Sequence, residues 1–168
     1  PEDRQRMGLV TDFKAYENLI FGYHHQEPFS KSSILKEKEI LSFSKKVMEE
    51  YDVRPRSPNL ITSNFSGGNQ QKIILSRELN ENPKVLLVGQ PTRGVDIGAI
   101  EFIHQRLIDM RDRGAAILLA SVELDEILSL SDRIIVMFDG KIVGEKENKN
   151  LTDRELGLLM AGVAEWVT

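Results

Sequence analysis

The sequence predicts an α/β fold, in which a mostly helical first half is followed by strands that alternate with helices. Apolar residues recur mainly at helical spacing up to about residue 80, and short apolar runs then alternate with amphipathic stretches. Because strands separated by helices generally pair in parallel, we expect a parallel sheet in the second half. The boundary is predicted near Pro83, which follows Asn82 and cannot continue a helix.

The composition is that of a globular protein without disulfides. Of 168 residues, 40% are hydrophobic, 29% are charged and none is cysteine. A hydrophobic core can therefore form, and disulfides and thiolate metal sites are excluded. The net charge of −4 argues against a nucleic-acid partner. No apolar run approaches the roughly 20 residues that a membrane-spanning helix needs.

The first half is predicted to hold three helices joined by polar loops. Asp12 can cap the first helix and Gly22 can close it, whereas two prolines end the second. The predicted segments are a loop over 1–11, a helix over 13–21, an irregular stretch over 23–33, a helix over 34–51, and a helix that follows the loop 64–68 and runs to Leu79.

The second half is predicted from short apolar runs and clear turn residues. Asp139-Gly140 is typical of a type I′ hairpin turn, and Thr152 with Glu155 forms a capping box. The predicted elements are a buried strand over 85–88, a helix over 97–113 closed by Gly114, a strand over 115–120, a helix over 123–130, a hairpin of 134–138 with 141–143, and a helix ending at Met160 before Gly162.

Ser66, Gly67 and Gly68 stand at the start of a predicted helix, where they can form an anion site. A helix start carries unpaired N–H groups and about half a positive charge, and glycine lets an anion approach the backbone. Such a site suits a terminal phosphate. An anion there gains only about 0.3–2 kcal/mol, so other groups must help to hold a nucleotide. The simpler interpretation is a serine N-cap followed by a tight turn.

The surrounding segments resemble the motifs of ABC-type ATPases, in that family's order. The stretch FSGGNQQK (65–72) resembles the signature motif, usually written LSGGQ. It is followed by segments similar to the Walker B strand (85–92), the D-loop (93–96), the switch loop (121–128) and the terminal hairpin (132–145).

The opening PEDR and the run PTRGVDIGA (91–99) resemble the second ATPase half of tandem sugar and nucleoside importer subunits of the ribose type. The variant GQPTRGVDIGAIEFIH (89–104) is most similar to the nucleoside-importing branch. The resemblance implies a partial P-loop NTPase (RecA-like) core with an ABC α-helical subdomain. Residues 1–11 would lead in from the Q-loop, 12–82 would form the helical subdomain, and 83–168 would complete the core.

Three positions depart from the family pattern of catalytic residues. Where the family has the Walker B Asp-Glu pair, this chain has Gly89 and Gln90, and Val122 replaces the switch histidine. Glutamine cannot accept a proton at neutral pH, and loss of a general base typically lowers the rate by about 10²–10⁴-fold. Glu123 is interpreted as a capping or solvent group. Asn69 replaces the signature glutamine and keeps an amide.

No phosphate-binding loop of the form G-x-x-x-x-G-K-[ST] occurs in the 168 residues. We therefore expect a chain cut before residue 1 that, alone, binds no nucleotide tightly and exposes apolar sheet edges. In the assembled parent, the resemblance implies ATP and Mg²⁺ as cofactors. Ser66, Gly67, Gly68 and Asn69 would then contact an ATP held by a second nucleotide-binding half.

The resemblance also implies partners and a location. Asp96 in the D-loop would link the two ATP sites, and it can equally cap the helix that follows. The helical subdomain would dock membrane permease subunits, which places the protein in the cytoplasm at the inner face of the plasma membrane. No nucleic-acid partner is expected.

Two other functions stay open. The chain could be a non-catalytic interaction module that kept the ABC outline, which Gly89 and Gln90 favour. It could also be a non-transport ABC ATPase of DNA repair or chromosome maintenance, although no sustained heptads are present. No metal site is expected, because His24, His25 and His104 lack a ligand spacing. Trp166 is interpreted as a packing residue.

Overall fold

The computed structural model describes residues 3–163, which fall into two compact units, one through Ile117 and one from Leu118. In the first unit Arg4–Gly8 forms a π-helical turn, and Thr62–Asn64 forms a 3₁₀ turn. The other elements, in chain order, are α1 (Ala15–Leu19), β1 (Ser30–Lys31), β2 (Ile34–Leu35), α2 (Glu37–Glu50), α3 (Gly67–Leu79), β3 (Val85–Gly89), α4 (Ile97–Asp112), β4 (Ala116–Ala120), α5 (Leu124–Leu130), β5 (Arg133–Phe138), β6 (Lys141–Glu147) and α6 (Asp153–Met160).

The helices of the first unit pack around buried aliphatic and aromatic side chains. Ile20, Phe29 and Ile40 form one cluster, with partly buried aromatic rings against it. Asn18 is fully buried inside this part and is fully bonded: its amide exchanges hydrogen bonds with the Val10 backbone, both at 2.9 Å, and donates to Thr62 Oγ1 at 2.9 Å. One buried polar residue therefore ties three separate segments together.

The first unit also contains β3 and α4. β3 pairs with β4, and the Ala116 N–H donates to the carbonyl of Lys84 just before β3. The strand predicted to be buried over 85–88 is buried on one face only. Leu86 is buried, whereas Val85 and Leu87 are 64% and 77% exposed. Two apolar side chains of β3 therefore lie exposed, and the expectation of exposed apolar sheet edges stays a prediction.

An aromatic and cationic cluster joins α4 to the helices before it. The rings of Tyr51 and Phe102 meet edge to face at 6.2 Å, and the Arg106 guanidinium lies 4.6 Å from the Tyr51 ring centre. Arg106 also donates to the carbonyl of Glu50 at 2.6 Å, and Lys72 Nζ lies 4.7 Å from the Phe102 ring. Such cation–π contacts each stabilise by about 0.5–2 kcal/mol.

The second unit consists of the β5–β6 hairpin and two helices. The hairpin is antiparallel from the pair Arg133 and Glu147 to the pair Phe138 and Lys141, with a bulge after Val136. Positive φ angles at Asp139 (46°) and Gly140 (72°) confirm the predicted type I′ turn. The buried core of this unit is formed by Ile134, Val136, Leu156 and Leu159.

Several predicted boundaries in the first unit were wrong. Residues 4–8 are helical rather than loop, because the Asp3 carboxylate caps the turn through the N–H groups of Gln5 and Arg6. The helix predicted over 13–21 is shorter, with Lys14 rather than Asp12 at its cap. α2 begins at Glu37 instead of residue 34, and α3 begins at Gly67 inside the predicted loop.

The second-unit predictions were closer. The Thr152–Glu155 capping box is present, and α6 ends at Met160 as predicted. β6 extends to Glu147, four residues beyond the prediction. Trp166 lies outside the described residues. The parallel pairing of β3 with β4 stays a prediction.

Candidate functional site

Ser66 is the N-cap of α3, as predicted. Its hydroxyl oxygen accepts the Asn69 side-chain amide at 2.9 Å and the Asn69 backbone N–H at 3.4 Å. Because both of these bonds use oxygen lone pairs, the hydroxyl hydrogen is left to donate to another acceptor. Ser66 is exposed, so that acceptor can come from outside. We call residues 66–69 the signature turn.

Asn69 links the signature turn to the segment that follows α2. Its side-chain oxygen accepts the backbone N–H of Arg54 at 2.7 Å while its amide nitrogen donates to Ser66. The Asn69 amide group therefore acts both as a hydrogen-bond donor and as an acceptor. An amide at this position is required for this arrangement, which a carboxylate could not reproduce.

Gly67 and Gly68 face close neighbours within the chain on the side where a Cβ would lie. A Cβ on Gly67 would stand 2.6 Å from Arg4 Nη2 and 3.1 Å from the Gly94 carbonyl oxygen. A Cβ on Gly68 would stand 2.8 Å from Asp96 Oδ2 and 2.9 Å from the Ala99 Cβ. Close packing against the Ala99 Cβ therefore requires glycine at position 68, whereas a Cβ at position 67 would displace the end of the Arg4 side chain.

Residues 93–96, the D-loop turn, lie directly against the signature turn. Asp96 caps α4, because its Oδ1 accepts the Ala99 N–H at 2.9 Å, which confirms the predicted capping role. Its second carboxylate oxygen faces Gly68. Gly94 has φ 64°, a left-handed conformation that favours glycine. The structure thus brings Ser66, Gly67, Gly68, Asn69 and Asp96 together.

Two residues at this place were missed by the sequence analysis. Gln70 is 2% exposed, and its amide donates to the carbonyls of Thr62 (3.2 Å) and Phe65 (3.1 Å), which holds the backbone entering the signature turn. Arg4 reaches the D-loop turn by hydrogen bonds to the carbonyls of Arg93 and Gly94. The glutamine-rich continuation of the motif could have indicated Gln70, but no local pattern indicates the Arg4 contact.

A cavity of about 390 Å³ opens beside the signature turn. Its charged lining is balanced, with Asp52 and Asp96 against Arg54 and Lys72. Asp52 pairs with Arg54 at 2.8 Å and with Lys72 at 3.6 Å. The hydrogen bond from Arg54 is the main cause that lowers the pKa of the Asp52 carboxyl below its ordinary value. The cavity therefore carries no net charge.

Of the three positions that depart from the family pattern, two lie in the first unit and one in the second. Gly89 ends β3, and Gln90 follows it with φ 49°. Val122 belongs to the other unit and is 61% exposed. Glu123 occupies the backbone cap position of α5 without a side-chain cap bond; its N–H donates to Ser121 Oγ at 3.1 Å.

The residues present do not fit a bound Mg²⁺ at the end of β3. Gly89 offers no side-chain ligand, and Gln90 offers only a neutral amide, whereas Mg²⁺ prefers carboxylate oxygens. Across residues 3–163 no group of three or more His, Asp or Glu side chains is arranged to hold a metal ion. The signature turn does fit a terminal phosphate, through its hydroxyl proton and the first-turn N–H groups of α3.

Comparison with known sequences gives relatives along nearly the whole chain. The chain is 46% identical over 162 residues to a guanosine import ATP-binding protein of Bacillus subtilis, and 49% identical over 162 residues to a nucleoside import ATP-binding protein of Lactococcus lactis. It is 37% identical to a ribose import ATP-binding protein of Streptococcus agalactiae. Each alignment covers 96% of this chain and 32% of the relative, so the chain spans about a third of their length. No family model matches the chain.

Comparison with solved structures gives the same fold. The ADP conformation of an ATP-binding cassette of an ABC transporter superposes with a TM-score of 0.64 at 25% identity, covering 90% of this chain and 60% of that one. A nucleotide-free cassette gives 0.66 at 27% identity, covering 83% and 57%. None of the helices within residues 3–163 combines the length and apolar character that a membrane span requires.

Proposed function

We propose that the chain is part of an ABC-type import ATPase and that it supplies a signature turn to an ATP held by a second nucleotide-binding half. The observation that carries the proposal is the geometry at Ser66. Its oxygen accepts two N–H groups of Asn69, so its proton is available to an acceptor outside the chain. The terminal phosphate of ATP is such an acceptor.

The phosphate at the signature turn would belong to an ATP that the second half holds, because the signature turn alone binds an anion too weakly to retain a nucleotide. No phosphate-binding loop of the form G-x-x-x-x-G-K-[ST] occurs in the 168 residues. A single helix start with one hydroxyl is too weak to hold a nucleotide unaided, with about 2 kcal/mol at most. Within the assembled protein the second half would supply the phosphate loop and Mg²⁺. The signature turn would add the last contacts.

This half's own ATP site would bind nucleotide in the assembled protein but hydrolyse it poorly. Gly89 and Gln90 supply neither a carboxylate ligand nor a general base, and Val122 supplies no histidine. Hydrolysis would therefore depend on the site to which Ser66, Gly67, Gly68 and Asn69 contribute. Asp96, which packs against Gly68, would report the state of one site to the other.

We further propose an uptake role, with a nucleoside as the first choice of cargo and a sugar as the second. The nucleoside relatives are 46% and 49% identical and the ribose relative is 37% identical. The helical subdomain, residues 12–82, would dock a membrane permease, and residues 83–168 would form part of the core. The protein would then act at the cytoplasmic face of the membrane.

The test is ATP hydrolysis by the full-length subunit with its permease. Replacing Ser66 by alanine (S66A) should lower turnover by about a hundredfold, because it removes a donor aimed at the transferring phosphate. The matched control is S63A. Ser63 lies three residues earlier, is exposed, and is held through its backbone N–H by the Thr11 carbonyl.

Unchanged turnover in S66A, with the S63A control also unchanged, would refute the signature role. The second candidate would then be favoured, namely a non-catalytic interaction module with an ABC outline. The specific observation on its side is the pair Gly89 and Gln90, which replaces both Walker B acids.

A further inference from the structure

We propose that Arg4 is a positioning residue that fastens the D-loop turn to the signature turn, so that both reach a partner's nucleotide as one unit. The inference rests on the function proposed above. It concerns the short π-helical turn Arg4–Gly8, whose side chains the sequence analysis did not assign to any role.

The Arg4 guanidinium holds two successive carbonyls of the D-loop turn. Its Nη1 donates to the Arg93 carbonyl at 2.7 Å, and its Nη2 donates to the Gly94 carbonyl at 3.1 Å. These acceptors lie 89 and 90 residues away in the chain. Bonds from a charged donor are roughly twice as strong as neutral ones, and the planar guanidinium fixes the direction of both.

The same guanidinium lies against Gly67. A Cβ at that position would stand 2.6 Å from Arg4 Nη2, so a larger residue there would displace the end of the Arg4 side chain. The Gly94 carbonyl oxygen lies on the same side, 3.1 Å from that Cβ position. Arg4 therefore stands where the signature turn and the D-loop turn touch. Its Nε is buried and has no acceptor within residues 3–163, which indicates that the group is inserted between the segments.

Neighbouring contacts fix the turn that carries Arg4. The Asp3 carboxylate caps the turn through Gln5 and Arg6. The Gln5 amide donates at 3.1 Å to the side-chain oxygen of Gln70, which itself holds the backbone before the signature turn. The segment that carries Arg4 is thus also bound to α3, through the hydrogen bond between Gln5 and Gln70.

The consequence is that movement of the D-loop turn would be shared with the signature turn. Asp96 stands two residues after Gly94 and abuts Gly68, so loosening Arg93 and Gly94 would also loosen the Asp96 contact. Arg4 does not touch the nucleotide in this account. It acts by holding the Ser66 hydroxyl and Asp96 in a fixed mutual position.

The test compares R4A, R4K and the control R6A in the full-length subunit with its permease. Arg6 is an exposed arginine on the same turn. We expect R4A to lower ATP turnover roughly tenfold, a usual size for a residue that couples two sites. R4K keeps the charge but not the two-pronged geometry, so its turnover should lie between R4A and the unchanged protein. R6A should match the unchanged protein.

A double variant separates positioning from a general structural role. If Arg4 acts through Ser66, R4A combined with S66A should lose little more than S66A alone. The proposal would be overturned if the fold-loss of turnover in the double variant equalled the product of the two single fold-losses. Wild-type turnover in R4A would also overturn it. If R4A lowers the unfolding temperature, its turnover cannot be attributed to positioning, and the turnover of R4K is used instead. Wild-type turnover in an R4K variant of unchanged unfolding temperature would overturn the proposal. If turnover falls in S66A but not in R4A, only the role of Arg4 is rejected and the proposed function stands. If turnover does not fall in S66A, the proposed function is rejected.

Discussion

Ser66 and Asn69 show how much of the candidate site can be predicted at the scale of single residues. The serine cap was predictable, because Ser-Gly-Gly before an apolar helix is a local signal. The contacts of Gly67 with Arg4 and of Gly68 with Asp96 were not, since they join positions far apart in sequence. Close approach of this kind depends on tertiary packing, which no spacing of residues encodes locally.

Gln90 stands where a general base would be expected, so restoring a carboxylate there should raise ATP turnover. Changing it to glutamate (Q90E) in the full-length subunit restores a group that can accept a proton from the attacking water. We expect ATP turnover to rise by less than the usual range of about 10²–10⁴-fold for a general base, because Gly89 still supplies no metal ligand. Hydrolysis should be measured beside Q26E, the same change at an exposed loop position. A rise in Q26E alone, or in neither variant, contradicts the assignment of Gln90.

At the scale of elements, local signals predicted helix starts only where the cap is local. The Thr152–Glu155 capping box sets the start of α6 through contacts three residues apart. The start of α1 is set instead by distant backbone, because the N–H groups of Ala15 and Tyr16 donate to the carbonyls of Leu60 and Pro58. Asp12 was therefore the wrong cap for a physical reason that its own neighbours do not show.

The β1–β2 hairpin was missed for a related reason. Its turn is Ser32-Ser33, with φ angles of 51° and 64°. Left-handed turn positions usually hold glycine, asparagine or aspartate, so two serines give no turn signal. Ile34 was assigned to a helix instead, although it pairs with Lys31 in the hairpin.

The aromatic cluster at the end of α2 should make the stability of the fold depend on pH in the alkaline range. Burial is the main cause that raises the pKa of the Tyr51 hydroxyl, and Arg106 partly opposes it. A pKa raised in the folded state stabilises the fold below the unfolded value, about 10, and that stabilisation is lost as the pH rises through the folded value. Wild type should therefore lose stability above about pH 10 more steeply than Y51F.

Urea unfolding of Y51F and wild type at a series of alkaline pH values measures this difference. The control is Y23F, which removes a half-buried tyrosine hydroxyl elsewhere in the first unit. Taking differences between variants cancels the titration of lysines and of the other tyrosines. Parallel stability curves for Y51F and wild type would contradict the assigned effect of burial at Tyr51.

At the scale of the whole molecule, the order of helices and strands after Pro83 was predictable, whereas their burial was not. Period and turn residues identify β3, α4 and β4, because these signals lie within each segment. The apolar run over 85–88 predicts a buried strand, yet Leu87 is 77% exposed in β3. Burial depends on what packs against each face, and that information lies outside the run itself.

The proposed function requires the signature turn to meet the phosphate of an ATP held by another half, and a thiol at position 66 can detect that contact. The 168 residues contain no cysteine, so S66C introduces a unique reactive group once any cysteines elsewhere in the full-length subunit have been replaced. The measurement is the rate of maleimide labelling with and without Mg-ATP, beside S63C. We expect Mg-ATP to slow the labelling of S66C strongly and that of S63C little, and we expect a disabled phosphate loop in the partner half to abolish this protection. Equal labelling rates of S66C with and without bound ATP would contradict it.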